Sequence, residues 1–497
     1  MKNKLKEIYI RKRLFVNAIF SGIQVCCTAG IYLLIYTLLL HKVGAEKLGV
    51  WSIILATSSI ANVATMGLTA SLVKYLAVLD SKKDSVEAND LVQTSFLIVS
   101  LLNGGVVIII YFLAQFFLPK AIVRSELDLA FNLLPFSLIT LWLNGLSGVF
   151  LSTLDGFHHS SLRSFISIIS IIFFFFLSYF LIDKYQLFGI AIAQIAQAIL
   201  SVFLGIIATK YIFKSFQFSI KFSKSVFRKT LNYNLSFQII GVCSILIEPV
   251  LKLFLSRFGG LAYVGYFEMA NRLAQQFKVL ITSANQVMVP YVSKTTSSMG
   301  AKDYTYPILL RIVFSISLLF LLFIIVFSPV ISIIWLKLRV PEFEFSLLMM
   351  GLGVFFSLIV APAYFSSIGI GNLKGILGNH ISLLFLSNIL CYFLGKYFHG
   401  DGVIIGYSVA TIISTSITFI YYHITFKPPF FEVFSRNLII AFSLLLLILL
   451  AIWLRMSYQK LSFLFYMIAA SLWLIALLIR LYLNNKALIL SWINRNH

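Results

Sequence analysis

The sequence predicts an all-α polytopic membrane protein. We expect about 14 transmembrane helices, arranged as two parallel six-helix bundles around a central cavity plus two C-terminal helices. Three observations predict this architecture. The 497 residues are 60% hydrophobic with a mean hydropathy of +0.97, whereas soluble domains are roughly 45–50% apolar. The apolar residues form runs long enough to cross a bilayer. A sequence pattern also recurs at an offset of about 213–216 residues, as expected for an internal duplication.

The helices follow from the rule that an apolar run of about 20 residues spans a bilayer. The predicted spans are 14–40, 48–76, 91–118, 129–154, 163–182, 187–212, 232–256, 264–292, 305–336, 345–370, 378–397, 402–426, 437–455 and 461–482. We expect a break in the ninth span near Ser328-Pro329. The first span is too long for a signal-peptide core, so we predict that it is retained.

The net charge of +22 invites a nucleic-acid partner, but its distribution argues against one. Most of the 39 Lys and Arg lie at helix ends and loops on the side of the N-terminus, with clusters at Lys2–Arg13 and Lys210–Lys229. This bias is typical of cytoplasmic loops. The sequence therefore predicts a multi-pass membrane protein with both termini in the cytoplasm, because the number of helices is even.

The sequence favours no cofactor, metal or enzymatic activity. Cys26, Cys27, Cys243 and Cys391 lie in apolar spans without metal-ligand spacing. Phosphate-loop, zinc-protease and nucleophile-elbow motifs are missing. No loop is long enough for a soluble catalytic domain, which argues against a membrane polymerase or ligase.

The repeat begins with a glycine motif. Val43–Trp51 follows the first helix and Gly259–Phe267 follows the seventh. Both have Gly, four residues, Gly, an apolar or aromatic residue and then an aromatic residue, so we expect Gly44, Gly49, Gly260 and Gly265 to serve tight turns and close packing. LSTLDGFHHS pairs with FSSIGIGNLK, and FGIAIAQIAQ pairs with DGVIIGYSVA.

Three matches in the same order predict a duplicated six-helix unit. Because six is even, both copies insert with the same orientation and leave a substrate path between them. We predict an N-terminal bundle at 1–212, a basic cytoplasmic linker at 213–230, a C-terminal bundle at 231–427, and two further helices with a cytoplasmic tail at 428–497.

The eighth span has a strongly polar face. Its polar members are Glu268, Asn271, Arg272, Gln275, Gln276, Lys278 and Thr282. At about 100° per residue they occupy about half of the helix circumference. A charged side chain in hydrocarbon costs several kcal/mol, so this face is expected to point at a water-filled cavity or at other protein.

Two acidic residues lie inside the spans, Glu248 and Glu268, each with a base four residues on, Lys252 and Arg272. This spacing places each pair on one helix face. Each is either an internal ion pair that makes insertion tolerable or part of a cavity wall. In the second case the bases attract an anion and a Glu takes a coupling ion. Arg311, two turns into the ninth span, either snorkels to headgroups or faces the cavity.

The first helix has a neutral stripe of Asn17, Ser21, Gln24 and Thr28. Hydrogen bonding to a neighbouring helix is one reading. Binding of sugar hydroxyls by Asn17 and Gln24 is the other. No Asp, Glu, Arg or Lys lies between Arg13 and His41.

The duplicated glycine motif, the phrase Gly265-Tyr266…Ala270…Arg272-Leu273…Pro290 and the twelve-plus-two helix count resemble the polysaccharide transporter branch of the multidrug/oligosaccharidyl-lipid/polysaccharide exporter superfamily. Over roughly residues 10–425 the chain is similar to Wzx-type flippases of O-antigen and capsular polysaccharide units. The uncharged first helix departs from the lipid II flippase branch and from many cation antiporters of the superfamily.

The resemblance implies a V-shaped central cavity and a role in lipopolysaccharide or capsule biosynthesis. The implied cargo is an oligosaccharide on undecaprenyl diphosphate, moved to the outer leaflet by rocking of 1–212 against 231–427. A polysaccharide polymerase and a chain-length regulator are the implied protein partners, and H⁺ or Na⁺ the implied coupling ion. A cation-coupled multidrug antiporter remains the alternative.

Overall fold

The computed structural model describes residues 2–60, 66–77, 79, 85–217, 222–223, 235–285 and 305–427. Within these ranges every secondary-structure element is a helix, which confirms the all-α prediction. The predicted spans 437–455 and 461–482 lie outside the described residues, so the count of fourteen stays a prediction. The chain divides into two compact units, Met1–Glu268 and Met269–His497.

Twelve helices are described, and we number them in chain order. They are α1 (Lys2–Val43), α2 (Ala45–Ser59), α3 (Met66–Leu76), α4 (Ser85–Ala121), α5 (Arg124–Gly156), α6 (Ser160–Tyr185), α7 (Leu187–Ile212), α8 (Leu235–Gly259), α9 (Leu261–Asn285), α10 (Thr305–Leu336), α11 (Pro341–Ile370) and α12 (Lys374–Phe426). Eight of the described helices are long and apolar enough to cross a membrane: α1, α4–α7 and α10–α12.

Each predicted span up to residue 427 overlaps a described helix, although α1 begins at Lys2 and residues 232–234 and 286–292 of the seventh and eighth spans lie outside the described residues. Three predictions about breaks between helices differ from the structure or are left open by it. The span 48–76 corresponds to α2 and α3, and residues 61–65 between them lie outside the described residues. The predicted break near Ser328-Pro329 is wrong, because α10 continues through Pro329 to Leu336. Apolar helices tolerate an internal proline where neighbouring helices support them, and α11 packs along α10. The spans 378–397 and 402–426 form one element, α12, with a kink at His399.

The first unit contains α1–α8 and the beginning of α9. The helix α5 packs against α2, α3, α4 and α7, and α1 packs against α6. Leu72, Leu76, Val99, Phe150 and Phe213 form a buried apolar cluster between these helices. Since Phe213 begins the predicted linker, the first residues of that linker belong to the core of this unit.

The second unit contains the rest of α9 with α10, α11 and α12. The described residues of α11 pack against both α10 and α12. Leu318, Leu322 and Phe355 form one of its apolar clusters. The predicted bundles at 1–212 and 231–427 stay a prediction.

The backbone conformation at the α6–α7 junction recurs at the equivalent position within α12. At the α6–α7 junction Gln186 has φ 51° and ψ −128°, and at the kink of α12 His399 has φ 55° and ψ −138°. Three residues later, a Cβ on Gly189 or on Gly402 would overlap a carbonyl of the preceding helix. These are equivalent positions in the pair of segments FGIAIAQIAQ and DGVIIGYSVA, so the two segments share a local backbone geometry as well as a sequence pattern.

Candidate functional site

Two helix junctions carry the repeated glycine motif, and they share one backbone geometry. Gly44 separates α1 from α2 and Gly260 separates α8 from α9, both with φ +87°. The Gly44 nitrogen donates to the Leu40 oxygen at 3.1 Å, and the Gly260 nitrogen donates to the Ser256 oxygen at 3.0 Å. Residues with a Cβ rarely adopt such a φ, so each glycine lets one helix end and the next begin at once.

The helices α2 and α9 touch at the second glycine of each motif. Gly49 and Gly265 are both buried. A Cβ on Gly49 would overlap the carbonyl oxygen of Leu261, and a Cβ on Gly265 would overlap that of Ala45. The two backbones are therefore in direct contact, as small residues allow in membrane proteins.

A network of four buried polar residues, Tyr36, Ser52, Lys252 and Glu268, lies on the same helices; we call it the buried network. Glu268 is 0% exposed and Lys252 is 1% exposed. The Lys252 Nζ lies 2.8 Å from the Glu268 Oε2. The Tyr36 hydroxyl donates to Oε1 at 2.8 Å and the Ser52 hydroxyl donates to Oε2 at 3.1 Å. Both carboxylate oxygens are thus hydrogen-bonded, as a buried charge requires.

The four residues of the buried network form two pairs of equivalent positions in the two repeats. Tyr36 in α1 corresponds to Lys252 in α8, and Ser52 in α2 corresponds to Glu268 in α9, at the offset that relates Gly44 to Gly260. The Lys252 Nζ also donates to the Ser52 carbonyl oxygen at 3.3 Å. The network is nearly symmetric in position, but both of its charges belong to the second repeat.

The ion pair expected between Glu248 and Lys252 is present, with 2.6 Å between the Lys252 Nζ and the Glu248 Oε1. The Glu248 side chain is 41% exposed, so Lys252 lies between one exposed and one enclosed carboxylate. Sequence reasoning missed the pairing of Lys252 with Glu268, because the partners are on different helices. Their equal distance from the Gly260 turn, eight residues on either side, could have indicated it. The pairing of Glu268 with Arg272 stays a prediction.

Two basic residues predicted for the cavity, Lys278 and Arg311, lie on different helices of the second unit. Lys278 on α9 is partly buried and lies within electrostatic range of His380 on α12. The His380 ring is 6.4 Å from the Tyr364 ring of α11. Arg311, near the start of α10, is partly buried with its Nε enclosed. Lysine and arginine in partly enclosed surroundings are suited to hold an anion.

The other predicted polar residues of α9 share the helix with Lys278. Arg272 and Gln276 are partly buried. The Gln275 Nε2 is 3.4 Å from the Asn271 Oδ1, and the Thr282 hydroxyl donates to the Lys278 carbonyl oxygen at 2.8 Å. All residues of the predicted polar face, from Glu268 to Thr282, thus lie on the single helix α9.

In the neutral stripe of α1, Asn17 is hydrogen-bonded to a neighbouring turn, whereas the Gln24 side-chain oxygen has no described partner. Asn17 bonds to the α5–α6 turn: its Nδ2 donates to the His158 oxygen at 3.2 Å, and its Oδ1 accepts from the Ser161 nitrogen at 3.0 Å. These bonds favour the interpretation that Asn17 stabilises helix packing. The Gln24 Oε1 is buried and has no hydrogen-bond partner among the described residues, so Gln24 keeps the sugar-binding reading.

Metal ligation finds no support in the described ranges, where no group of three His, Cys, Asp or Glu could hold an ion. All four cysteines lie in those ranges and are unpaired.

Several solved transporters share the fold of this chain. The lipid II flippase MurJ in an inward closed conformation has a TM-score of 0.71 at 17% identity, with 95% of this chain and 99% of that chain covered. An inward-facing multidrug resistance MATE family transporter of the MOP superfamily has a TM-score of 0.63 at 15% identity, covering 84% and 97%. The Vibrio cholerae MATE transporter VcmN in the bent form has a TM-score of 0.59 at 15% identity, covering 86% and 98%.

At these identities the likeness shows the fold alone. No curated protein has significant sequence similarity to the chain. The family model described as "Polysaccharide biosynthesis protein" matches residues 14–296, which is more than half of the chain and includes both glycine motifs and the whole buried network. This multi-pass membrane protein belongs to the polysaccharide biosynthesis protein family.

Proposed function

We propose that the protein is a flippase for oligosaccharide repeat units linked to undecaprenyl diphosphate, of O-antigen or a related surface polysaccharide. It moves them from the cytoplasmic to the outer leaflet of the bacterial inner membrane. The family match over residues 14–296 carries this proposal, since it relates the chain to polysaccharide biosynthesis. The fold shared with a lipid II flippase supports a lipid-linked cargo.

The charges of the α9 and α10 helices fit such a cargo. A diphosphate carries several negative charges, and its bonds to Arg and Lys are strong because they are charge-assisted. Arg272, Lys278 and Arg311 are partly buried, so they are accessible to a ligand and partly shielded from water. In this proposal they hold the diphosphate, Gln275, Gln276 and Gln24 contact sugar hydroxyls, and the polyprenyl tail stays in the lipid.

The transport mechanism is alternating access, with 1–212 rocking against 231–427. Both termini are cytoplasmic, as the distribution of Lys and Arg indicates. H⁺ or Na⁺ is the candidate coupling ion. Glu248 is its candidate site because the side chain is 41% exposed and lies beside Lys252, while Glu268 is the enclosed alternative.

A cation-coupled multidrug antiporter is the second candidate. The specific observation in its favour is that Lys252 lies between two carboxylates, 2.6 Å from Glu248 and 2.8 Å from Glu268. The three side chains carry one excess negative charge when both carboxylates are ionised, which suits uptake of a cation. Substrate-dependent drug resistance conferred by the protein would favour this candidate over the flippase.

Deletion of the gene in its native host tests the flippase. We expect loss of surface polysaccharide and accumulation of lipid-linked repeat units in the cytoplasmic leaflet. The wild-type gene should restore the polymer, and Arg272→Ala or Lys278→Ala should not, at equal protein level in the membrane. Lys278→Arg retains the charge and should restore part of it. Normal polymer with no stranded intermediate in the deletion strain would rule the proposal out.

A further inference from the structure

We propose that the buried network is a latch that holds the outer side of the transporter closed, and that its ion pair separates whenever the cavity opens outward. This inference rests on the alternating access of the proposed function. It concerns the residues that control opening, whereas the proposed function concerns the cargo.

The position of the buried network is set by its distance from the two glycine turns. Tyr36 and Ser52 lie eight residues before and after Gly44, and Lys252 and Glu268 lie eight residues before and after Gly260. At 1.5 Å per residue all four lie about 12 Å along their helices from the turns. With the N-terminus in the cytoplasm both turns are at the outer surface, so the network lies in the outer half of a hydrocarbon core about 30 Å thick.

Two layers of contact join the repeats at this end. The contact of Gly49 with Gly265 lies nearer the turns, and the buried network lies one turn deeper. The Glu268 carboxylate accepts bonds from Tyr36 and Ser52 of the first repeat and binds Lys252 of the second. In the proposed rocking of 1–212 against 231–427, outward opening moves α1 and α2 away from α8 and the start of α9. It therefore must break the bonds from Tyr36 and Ser52.

The chemistry of the network suits an interface that opens. A buried ion pair contributes little net stability compared with well-packed apolar residues, because the desolvation cost offsets the attraction. When the helices separate, however, water can solvate Lys252 and Glu268, whereas separated apolar surfaces would be penalised in water. The open state is thus tolerated, and the closed state is selected by the fit of four hydrogen-bonding groups.

The asymmetry of the network makes the idea testable by transposition. The charges occupy the second repeat only, so they can be exchanged without changing the net charge. The parent and all variants carry Glu248→Gln, because Glu248 lies 2.6 Å from the Lys252 Nζ and would repel a carboxylate at position 252. In this background Lys252→Glu with Glu268→Lys keeps an ion pair, while Lys252→Met with Glu268→Gln removes it and keeps the side-chain volumes close. If the ion pair holds the outer side closed, the transposed variant should keep the outer side closed and the neutral double variant should not.

Opening can be measured as labelling of a single cysteine from the outer side. Cys26, Cys27, Cys243 and Cys391 are first replaced by Ser. Val264→Cys then reports opening, since Val264 is 0% exposed and lies on α9 between the turn and the network. Right-side-out membranes are treated with a membrane-impermeant maleimide. Lys42→Gln is the matched control, because it breaks an exposed pair with Asp183 between α1 and α6, 2.6 Å long and outside the network.

We expect the neutral double variant to label about tenfold faster than the parent, as a shift of the closed–open equilibrium by that factor requires. The transposed variant should label within about threefold of the parent, and Lys42→Gln at the parental rate. Unchanged labelling in the neutral variant would overturn the latch, and so would equal acceleration by Lys42→Gln. If the neutral variant does not accumulate, Tyr36→Phe removes only one hydroxyl, and parental labelling in that variant overturns the latch as well.

The labelling rate does not depend on any cargo. A failed latch therefore leaves the polysaccharide phenotype of the deletion strain in place, and a deletion strain with normal polymer leaves the labelling result in place. The two proposals fail separately.

Discussion

Gly49 and Gly265 occupy equivalent positions of the two repeats, and each faces a carbonyl group at the start of the other's helix. A Cβ on Gly49 would meet Leu261, and a Cβ on Gly265 would meet Ala45, which are themselves equivalent positions. The contact is therefore reciprocal, as in an interface with two-fold symmetry. This reciprocity gives a physical reason for glycine in both copies of the motif.

Gly49→Ala and Gly265→Ala should each destabilise the protein by about 1–3 kcal/mol, because an added methyl group has no room against a backbone carbonyl. The measurement is the temperature of half-unfolding of purified protein in one detergent. Gly105→Ala is the matched control, since nothing lies within 4 Å of its Cβ position in α4. It should be neutral or raise stability by up to about 1 kcal/mol, as removal of a helix-interior glycine does. Equal effects of Gly49→Ala and Gly105→Ala would refute the close contact.

Gly44 should resist substitution for a different reason. Nothing lies within 4 Å of its Cβ position, but φ 87° with ψ 168° is a region that is essentially restricted to glycine. Gly371, which ends α11 with φ 82° and ψ 9°, has a left-handed conformation that Asn also adopts. We therefore expect Gly44→Asn to cost about 1–3 kcal/mol and Gly371→Asn clearly less. Thermal unfolding of the two variants, compared side by side, tests this ranking, and a reversed ranking would contradict it.

The two carboxylates beside Lys252 should differ strongly in their effect on stability. Glu268→Ala leaves buried hydroxyls without their acceptor and removes the enclosed counter-ion, a change that typically costs about 3–5 kcal/mol. Glu248→Ala removes a side chain that is 41% exposed, and exposed ion pairs contribute up to about 1 kcal/mol. The check is the amount of folded protein after heating both variants through the same temperature series. A Glu248→Ala variant as unstable as Glu268→Ala would contradict the assigned burial.

The sequence predicts local features of this protein better than contacts between helices. Apolar runs gave α7 and α10 their correct ends, and the four-residue spacing gave the pair of Glu248 with Lys252. The predicted break at Pro329 is wrong, since packing against α11 supports α10 on both sides of the proline. The pair of Lys252 with Glu268 depends on where α8 and α9 place their faces. Hydrophobic periodicity does not encode that placement, although the equal distance of both residues from the Gly260 turn indicates it indirectly.

Asn17 and Gln24 share one stripe of α1, yet we expect opposite effects from their substitution. The His159 side chain makes no capping bond at the start of α6, and Asn17 accepts the Ser161 N–H there instead. Asn17→Ala should therefore lower stability by about 1–2 kcal/mol, like the loss of a helix cap. Gln24→Leu removes an enclosed acceptor without a described partner. It should leave stability unchanged or raised, because an unsatisfied buried polar group is costly.

Transport should show the reverse order for these two residues. Surface polysaccharide, measured per unit of membrane-inserted protein in the complemented deletion strain, should be close to wild type for Asn17→Ala, since its bonds are internal to the first unit. It should fall for Gln24→Leu if the enclosed oxygen accepts a sugar hydroxyl, because a binding site loses affinity when it cannot satisfy a buried polar group of its ligand. Normal polysaccharide per protein in Gln24→Leu would remove this residue from the proposed sugar path, and a transport defect in stable Asn17→Ala would return Asn17 to it.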